Sequence, residues 1–492
     1  MNDQNDSPKN ERSEKILSWI LSALGVALLG IGAVGYFIQD SGPESVPAPP
    51  TPKAADIISP PINAQSPILF ITIDSLSGDI GKEMKANPAL APNLKMLMDT
   101  STVFNNAYSA STVPASAAVS VMTGTYPSAH QYFWMPWYTL ANGKKVPESM
   151  TVGLPFFVRN LSQLMPHYET GAWVSNWWIS RNTGMLPTWK KRFSNYRIDA
   201  NQDRVAASSG PVVKDFLANS KSSTAFRFNW VNFNDLENPF SVTPEAAKRF
   251  MPKGVAMPTP GQMQSFKYLI GLSTASQEQG SKKFPLQKAL YLGAVHQLDA
   301  SLGELLKGLK DRGEFDQTTI ILVGNSGFSL QPNEGTTRDQ VRKMHVPLFI
   351  KKPQQKRTET VPVLVSTVSV APTIRELAGY PAASQFQTPS LVTMLKGNLG
   401  TPRMIFSETL SAGARQIFMM DGNATAICED DFERYKADKA NSLFCYWVAE
   451  NKRVDWMRLS DVQRKKIIEM KNAAYMQLRA GGDPFALQKL AQ

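Results

Sequence analysis

At 492 residues the chain is longer than one ordinary core needs, and 42% hydrophobic with 19% charged residues excludes a disordered or low-complexity protein. The formal net charge of +11 draws a protein toward nucleic acid or toward anionic membrane and wall surfaces. No long Lys/Arg block is present, so a dedicated nucleic-acid module is the weaker reading and no nucleic-acid partner is expected.

The first element in the chain is an uncharged run, Ile16 to Ile38, "ILSWILSALGVALLGIGAVGYFI". At about 1.5 Å per helical residue it is long enough to span a hydrocarbon core of roughly 30 Å. A buried core helix is opposed by the Pro-rich sequel. A cleaved signal peptide is opposed by the length of the run and the lack of a clear A-x-A site. Lys9, Arg12 and Lys15 precede the span, whereas only Lys53 is basic just after it. The charge asymmetry puts residues 1–15 in the cytoplasm and everything after Gln39 outside it, in the periplasmic or extracellular space. The next segment, 39–66, carries Pro43, Pro47, Pro49, Pro50, Pro52, Pro60 and Pro61, and reads as a semi-rigid spacer.

From Pro67 onward strand-like and helical patterns alternate. "ILFITID", Ile68 to Asp74, is a continuous apolar run ending in an acid, as in a buried parallel strand. Between Ala289 and Lys310, Val295, Leu298, Leu302, Leu305 and Leu309 recur at three- and four-residue steps and predict one apolar helix face. "TTIILVG" and "HVPLFI" read as two further strands. "VAPTIRELAGYP" predicts a helix beginning near Pro372 and stopping at Gly379. Strands alternating with helices give an α/β sheet covered on both faces. The main domain is placed at 67–415, followed by a mostly helical C-terminal subdomain at 416–492. In that subdomain Ser460 and Gln463 form a capping-box pattern ahead of a helix ending near Gly481. The only cysteines, Cys428 and Cys445, are either a disulfide, if the compartment is oxidising, or two buried thiols.

Five segments, in order, resemble the sulfatase branch of the alkaline phosphatase superfamily. They are "PILFITIDSLSGD", "APNLKMLMDTSTVFNNAYSASTVPASAAVSVMTGTYPSAH", "YLGAVHQLDASLGELLKGLKDRGEFDQTTIILVGNSG", "HVPLFIKKP" and "VAPTIRELAGYP". The resemblance covers about 67–415. It implies a large mixed α/β sheet sandwiched by helices, with the active site at the strand ends. Active members use a Ser, Thr or formylglycine nucleophile and one or two divalent metals on sulfate or phosphate esters. Membrane-anchored relatives include phosphoethanolamine and phosphoglycerol transferases of the cell envelope.

The chain departs from that pattern where the chemistry is carried. The first strand of the family ends in two adjacent acids, but here Asp74 is followed by Ser75. The late turn supplies Asn325 and Ser326 in place of Asp and His or Asn. Glu237 of "DLENP" stands at a substrate-side histidine position. The nucleophile motif aligns Thr112, with Ser111 and Ser116 as rivals, and Ser116 stands where the family has Arg. By the resemblance, Asp74 and Asn325 are vestigial metal positions, Glu237 and Ser116 substrate-side positions, and Thr112 the degenerate nucleophile. His130 and His345 fall where the family often places residues near the phosphate or sulfate. Each is alternatively a structural histidine, as His167 and His296 are expected to be.

A hard dication sheds water only for several oxygen ligands, usually including more than one carboxylate. Of the aligned metal positions only Asp74 is anionic, and no metal is the expectation. Asp74, relieved of metal duty, is expected to be solvated or held by backbone N–H groups. Three functions follow. The leading one is an inactive sulfatase-like domain on the membrane with a binding or regulatory role in the envelope. Its candidate partner surface is the aromatic run with Tyr132, Phe133, Trp134 and Trp137, which alternatively lines the core; Trp177 and Trp178 carry the same two readings. The second is an active ester hydrolase or transferase with zinc, calcium or manganese held among Asp74, Asn325, Glu237 and Asp235. The third is a module binding anionic polymers.

Overall fold

The computed structural model describes residues 66–130, 132, 158–176, 193, 195–198, 209–220, 226–334, 337–400, 403–411, 414–420, 426–431, 443–447, 452–453 and 459–480. Eight strands form the main sheet: β1 (Ile68–Ile73), β2 (Thr102–Tyr108), β3 (Glu169–Val174), β4 (Asn195–Ile198), β5 (Arg227–Phe233), β6 (Thr319–Gly324), β7 (His345–Lys351) and β8 (Glu359–Ser366), in the order β4-β3-β5-β1-β6-β7-β2-β8. All neighbours pair in parallel except β7, which runs antiparallel to both β6 and β2. The C-terminal ends of β3, β5, β1, β6 and β2 therefore share one edge with the start of β7. Open α/β sheets place ligands at that edge.

The apolar runs explain the layering. In β1, Leu69, Ile71 and Ile73 face a core that includes Leu94, Val213, Leu298 and Leu302, whereas Ile68 and Phe70 face one that includes Val119, Met122, Trp230 and Ile374. Both faces of the strand are buried, which is why its sequence is apolar throughout rather than alternating. The long helix Phe284–Asp311 contains the predicted 289–310 segment and buries all five of the predicted residues. The helix expected near Pro372 is Val370–Leu377, followed by Gly379 at φ +83.

The C-terminal region differs from expectation. A second, antiparallel sheet orders β13-β12-β11-β10-β9 from β9 (Ile405–Ser411), β10 (Ala414–Met420), β11 (Ala426–Asp431), β12 (Leu443–Trp447) and β13 (Lys452–Arg453). Only then does the helix Asp461–Ala480 follow, with the expected reciprocal bonds between Ser460 and Gln463. The boundary drawn at 415/416 cuts through β10, and the described residues of the region are sheet plus helix rather than mostly helical. Cys428 and Cys445 stand opposite one another in the β11–β12 register.

The expected span Ile16–Ile38 and the spacer up to residue 65 lie outside the described residues. Among the described residues no helix is long and apolar enough to cross a membrane. Phe133, Trp134, Trp137, Trp177 and Trp178 also lie outside them. Tyr132 is described, and it is a core residue at 2% exposure, not part of a surface patch.

Candidate active site: a carboxylate held by amides

Register brings the first site residues together. Thr72 of β1 stands level with Asn232 of β5 and Val323 of β6, so the residues just past the strands, Asp74 and Asn325, become neighbours. Asp74 is fully buried, and three side-chain amides converge on its carboxylate. Asn325 Nδ2 donates to Oδ1 at 2.5 Å, while Asn176 Nδ2 and Asn232 Nδ2 donate to Oδ2 at 2.7 and 3.3 Å. Asn176 Nδ2 also lies 3.4 Å from Glu237 Oε2 and so bridges two acids. Asn232 is held in turn by Thr72 Oγ1 at 3.0 Å. The carboxylate is not solvated, and the side-chain donors that reach it are amides. Neutral N–H dipoles surround it on both oxygens.

Ser75, the next residue, has φ 59. A non-glycine residue in the left-handed region is strained by about 1 kcal/mol or more, and such strain concentrates at functional sites. Tyr291 holds this turn: its hydroxyl donates to Ser75 O and accepts from Ser77 N, each at 2.9 Å.

A second group comes from the loop after β2. Ser109 Oγ donates to the backbone carbonyl of Asn325 at 2.5 Å and ties this loop to the turn after β6. Thr112 precedes the helix Pro114–Thr123, and its hydroxyl pairs with that of Thr409 at 2.8 Å. Its partner is thus another neutral hydroxyl, not a base that would take its proton. Ser111 Oγ accepts from Val113 N at 3.2 Å. Ser116 lies within the same helix, fully buried, with no partner for its Oγ among the described residues.

A cavity of about 460 Å³ opens in front of these groups. Ser75, Thr112, Glu237 and Ser326 line it, joined by Lys343, Gln277 and Thr409. Lys343 Nζ donates to Gln277 Oε1 at 3.3 Å. Burial holds the lysine below its ordinary range, against the opposing pull of nearby Asp339.

The histidines are placed elsewhere. His130 is 1% exposed; Tyr132 N donates to its Nδ1 at 3.1 Å, so Nε2 carries the proton toward Ser120 Oγ at 2.9 Å. Burial pushes this ring down to about 3, so it is neutral and fully engaged within the fold. His345 Nε2 pairs with Asn105 O at 2.9 Å, and the ring packs against Tyr108. Neither ring lines the cavity. His296 bonds Leu90 O and His167 stacks on Tyr380, as structural histidines do. Asp235 is also turned to structure, accepting from Ser209 N at 2.9 Å at the start of the helix Ser209–Asn219.

A divalent metal here would have to be held by Asp74, Asn325 and Glu237. The donor chemistry does not fit it: both Asp74 oxygens accept amide protons, and Asn325 turns its nitrogen, not its carbonyl, to the carboxylate. Among the described residues, no group of three or more His, Cys, Asp or Glu is placed to hold a metal. Sequence reasoning missed Asn176 and Asn232. The signal was there, since an amide within or just past a strand buried on both faces needs a polar partner.

Residues 66–380 match the family model described as Sulfatase. Arylsulfatase K of Danio rerio is 27% identical over 117 residues, covering 22% of this chain and 21% of that protein. N-acetylglucosamine-6-O-sulfatase of Bacteroides thetaiotaomicron is 31% identical over 117 residues, covering 23% and 21%. The chain thus matches about a fifth of the length of these curated relatives. Among solved structures, BT4656 in complex with its substrate D-glucosamine-2-N,6-O-disulfate aligns at TM-score 0.62 and 14% identity, covering 86% of this chain and 99% of that one. Phosphonate monoester hydrolase of Agrobacterium radiobacter aligns at TM-score 0.60 and 16% identity, covering 85% and 96%. At these identities the structural likeness shows the fold.

Proposed function

The chain belongs to the sulfatase family, and on that footing we propose that it binds its ligand without cleaving an ester. In this reading it is a sulfatase-fold domain held outside the cytoplasmic membrane on one N-terminal span, with a binding or regulatory role at the cell envelope. The loss of ester chemistry is carried by one observation, the triple amide clamp on Asp74. In metal-dependent ester cleavage the cation neutralises the transferring group and lowers the nucleophile's pKa. Here the strand-end carboxylate is already engaged by N–H donors, and the hydroxyl at the nucleophile position faces another hydroxyl.

The placement rests on the uncharged run Ile16–Ile38, on Lys9, Arg12 and Lys15 before it, and on the Pro-rich spacer after it. A reporter fused after Gln492 is expected to be active only outside the cytoplasmic membrane. A reporter active only inside would reverse the topology.

The rival reading is a hydrolase or transferase with a divalent metal drawn from Asp74, Asn325, Glu237 and Asp235. It requires oxygens that here accept protons from amides and from Ser209 N. The full-length protein, supplied with zinc, calcium or manganese, is expected to release nitrophenol from aryl sulfate and aryl phosphate no faster than its Thr112→Ala variant. Turnover that disappears in Thr112→Ala would establish the enzyme.

A further inference from the structure

The lining of the cavity has a chemistry of its own. Among the described residues six carboxamides reach it: Asn238, Gln277, Gln287, Gln331, Asn333 and Gln340. Each carries both donors and an acceptor, which suits hydroxyl groups that also donate and accept. An ester sulfate or phosphate offers acceptors alone and is recognised by cations. Among the described residues the lining has one cation, Lys343, against two acids, Glu237 and Asp339, so their balance gives no surplus of positive charge.

Two further observations point to an occupant. Ser326, 1% exposed, lines the cavity with its Oγ unpartnered, a buried hydroxyl that a ligand hydroxyl would satisfy. Phe328 brings a half-buried ring to the lining. It is fixed in place, stacked on Tyr291 at 4.2 Å and 13° with Phe240 at its edge. A rigid aromatic plane beside convergent amides suits a ring with one apolar face and a polar rim.

We infer that this cavity binds an uncharged, hydroxyl-rich ring, an unesterified hexopyranose unit whose hydroxyls meet the carboxamides and Ser326 and whose C–H face lies on Phe328. The inference rests on the reading that the site binds without cleaving. The volume of about 460 Å³ accommodates a saccharide unit of that kind.

The test uses the full-length protein in detergent, titrated with cellobiose, maltose and N,N′-diacetylchitobiose, each beside a sulfated counterpart. At least one neutral disaccharide is expected to bind saturably, with an affinity unchanged by added salt. Its sulfated form is expected to bind about tenfold or more weakly, because the described residues of the lining have no surplus of cations to neutralise the ester. Phe328→Ala should weaken binding about tenfold. Because that variant also disturbs the Tyr291 stack, Gln331→Ala, at an exposed position, provides the second probe and should weaken binding by about threefold or more. Tighter binding of the sulfated forms, or no saturable binding of any neutral disaccharide at millimolar concentration, would overturn the inference. Sulfated sugar bound tightly but left intact would do so while sparing the non-cleaving reading; sulfate release would defeat that reading itself.

Discussion

Replacing the amide of Asn325 by a carboxylate is expected to destabilise the chain by about 3 kcal/mol without metal, and added manganese or zinc is expected to restore much of that loss. Asn325 Nδ2 donates to Asp74 Oδ1 at 2.5 Å in a fully buried site. Asn325→Asp converts this donor–acceptor pair into two acids at hydrogen-bond distance, which cannot both ionise; one is driven to hold a proton. A divalent cation removes that conflict. Combined with Ser75→Asp and Ser326→His, the change offers three carboxylates and one imidazole, a reasonable set for zinc or manganese. Asp is also among the residues that tolerate the positive φ of 59 found at Ser75. Affinity for manganese should rise by on the order of a hundredfold over the parent, read by calorimetry, with thermal melts confirming folding. A folded triple variant that binds no better than the parent would mean that the strand ends have drifted from a metal geometry.

Asp74→Ala has the second largest expected effect. Its carboxylate is the shared acceptor for Asn176, Asn232 and Asn325. Removing it strands buried N–H donors, although Asn232 keeps Thr72 Oγ1 and Asn176 keeps a longer approach to Glu237. Losing hydrogen bonds to a charged acceptor at a closed site costs about 3 kcal/mol. Urea denaturation should show a lower midpoint, with Asp74→Asn losing less because it retains one carbonyl acceptor. Stability within about 0.5 kcal/mol of the parent would contradict a structural role for Asp74. A loss of cellular function in Asp74→Ala is therefore interpretable only beside its folding.

The main sheet was legible because its strands are buried on both faces. "ILFITI" and "TIILVG" carry no alternation to misread, and the long helix shows its stripe in plain leucine spacing. The smaller sheet was not legible. "IFSETLS" and "AICEDD" mix polar and acidic residues into short strands with no clear apolar alternation, and Glu408 is buried there accepting from Ser128 N and Oγ at the start of the helix Pro127–His130. Asp74 and Asn325 were found from motif order. Asn176 and Asn232 lie far from them in sequence and become neighbours only through the strand order β3-β5-β1-β6. The carboxamides of the cavity share no short motif, since Asn238 and Gln340 are separated by about a hundred residues and meet only in the fold.

The most direct measurement of the central claim is a calorimetric titration of manganese, zinc and calcium into the chelator-treated, full-length parent protein. The amide-held carboxylate leads to no saturable heat at tens of micromolar metal, because one acid already engaged by three amides cannot offset the dehydration of a dication. Stoichiometric binding of any of the three that is abolished by Asp74→Ala in a folded protein would contradict it.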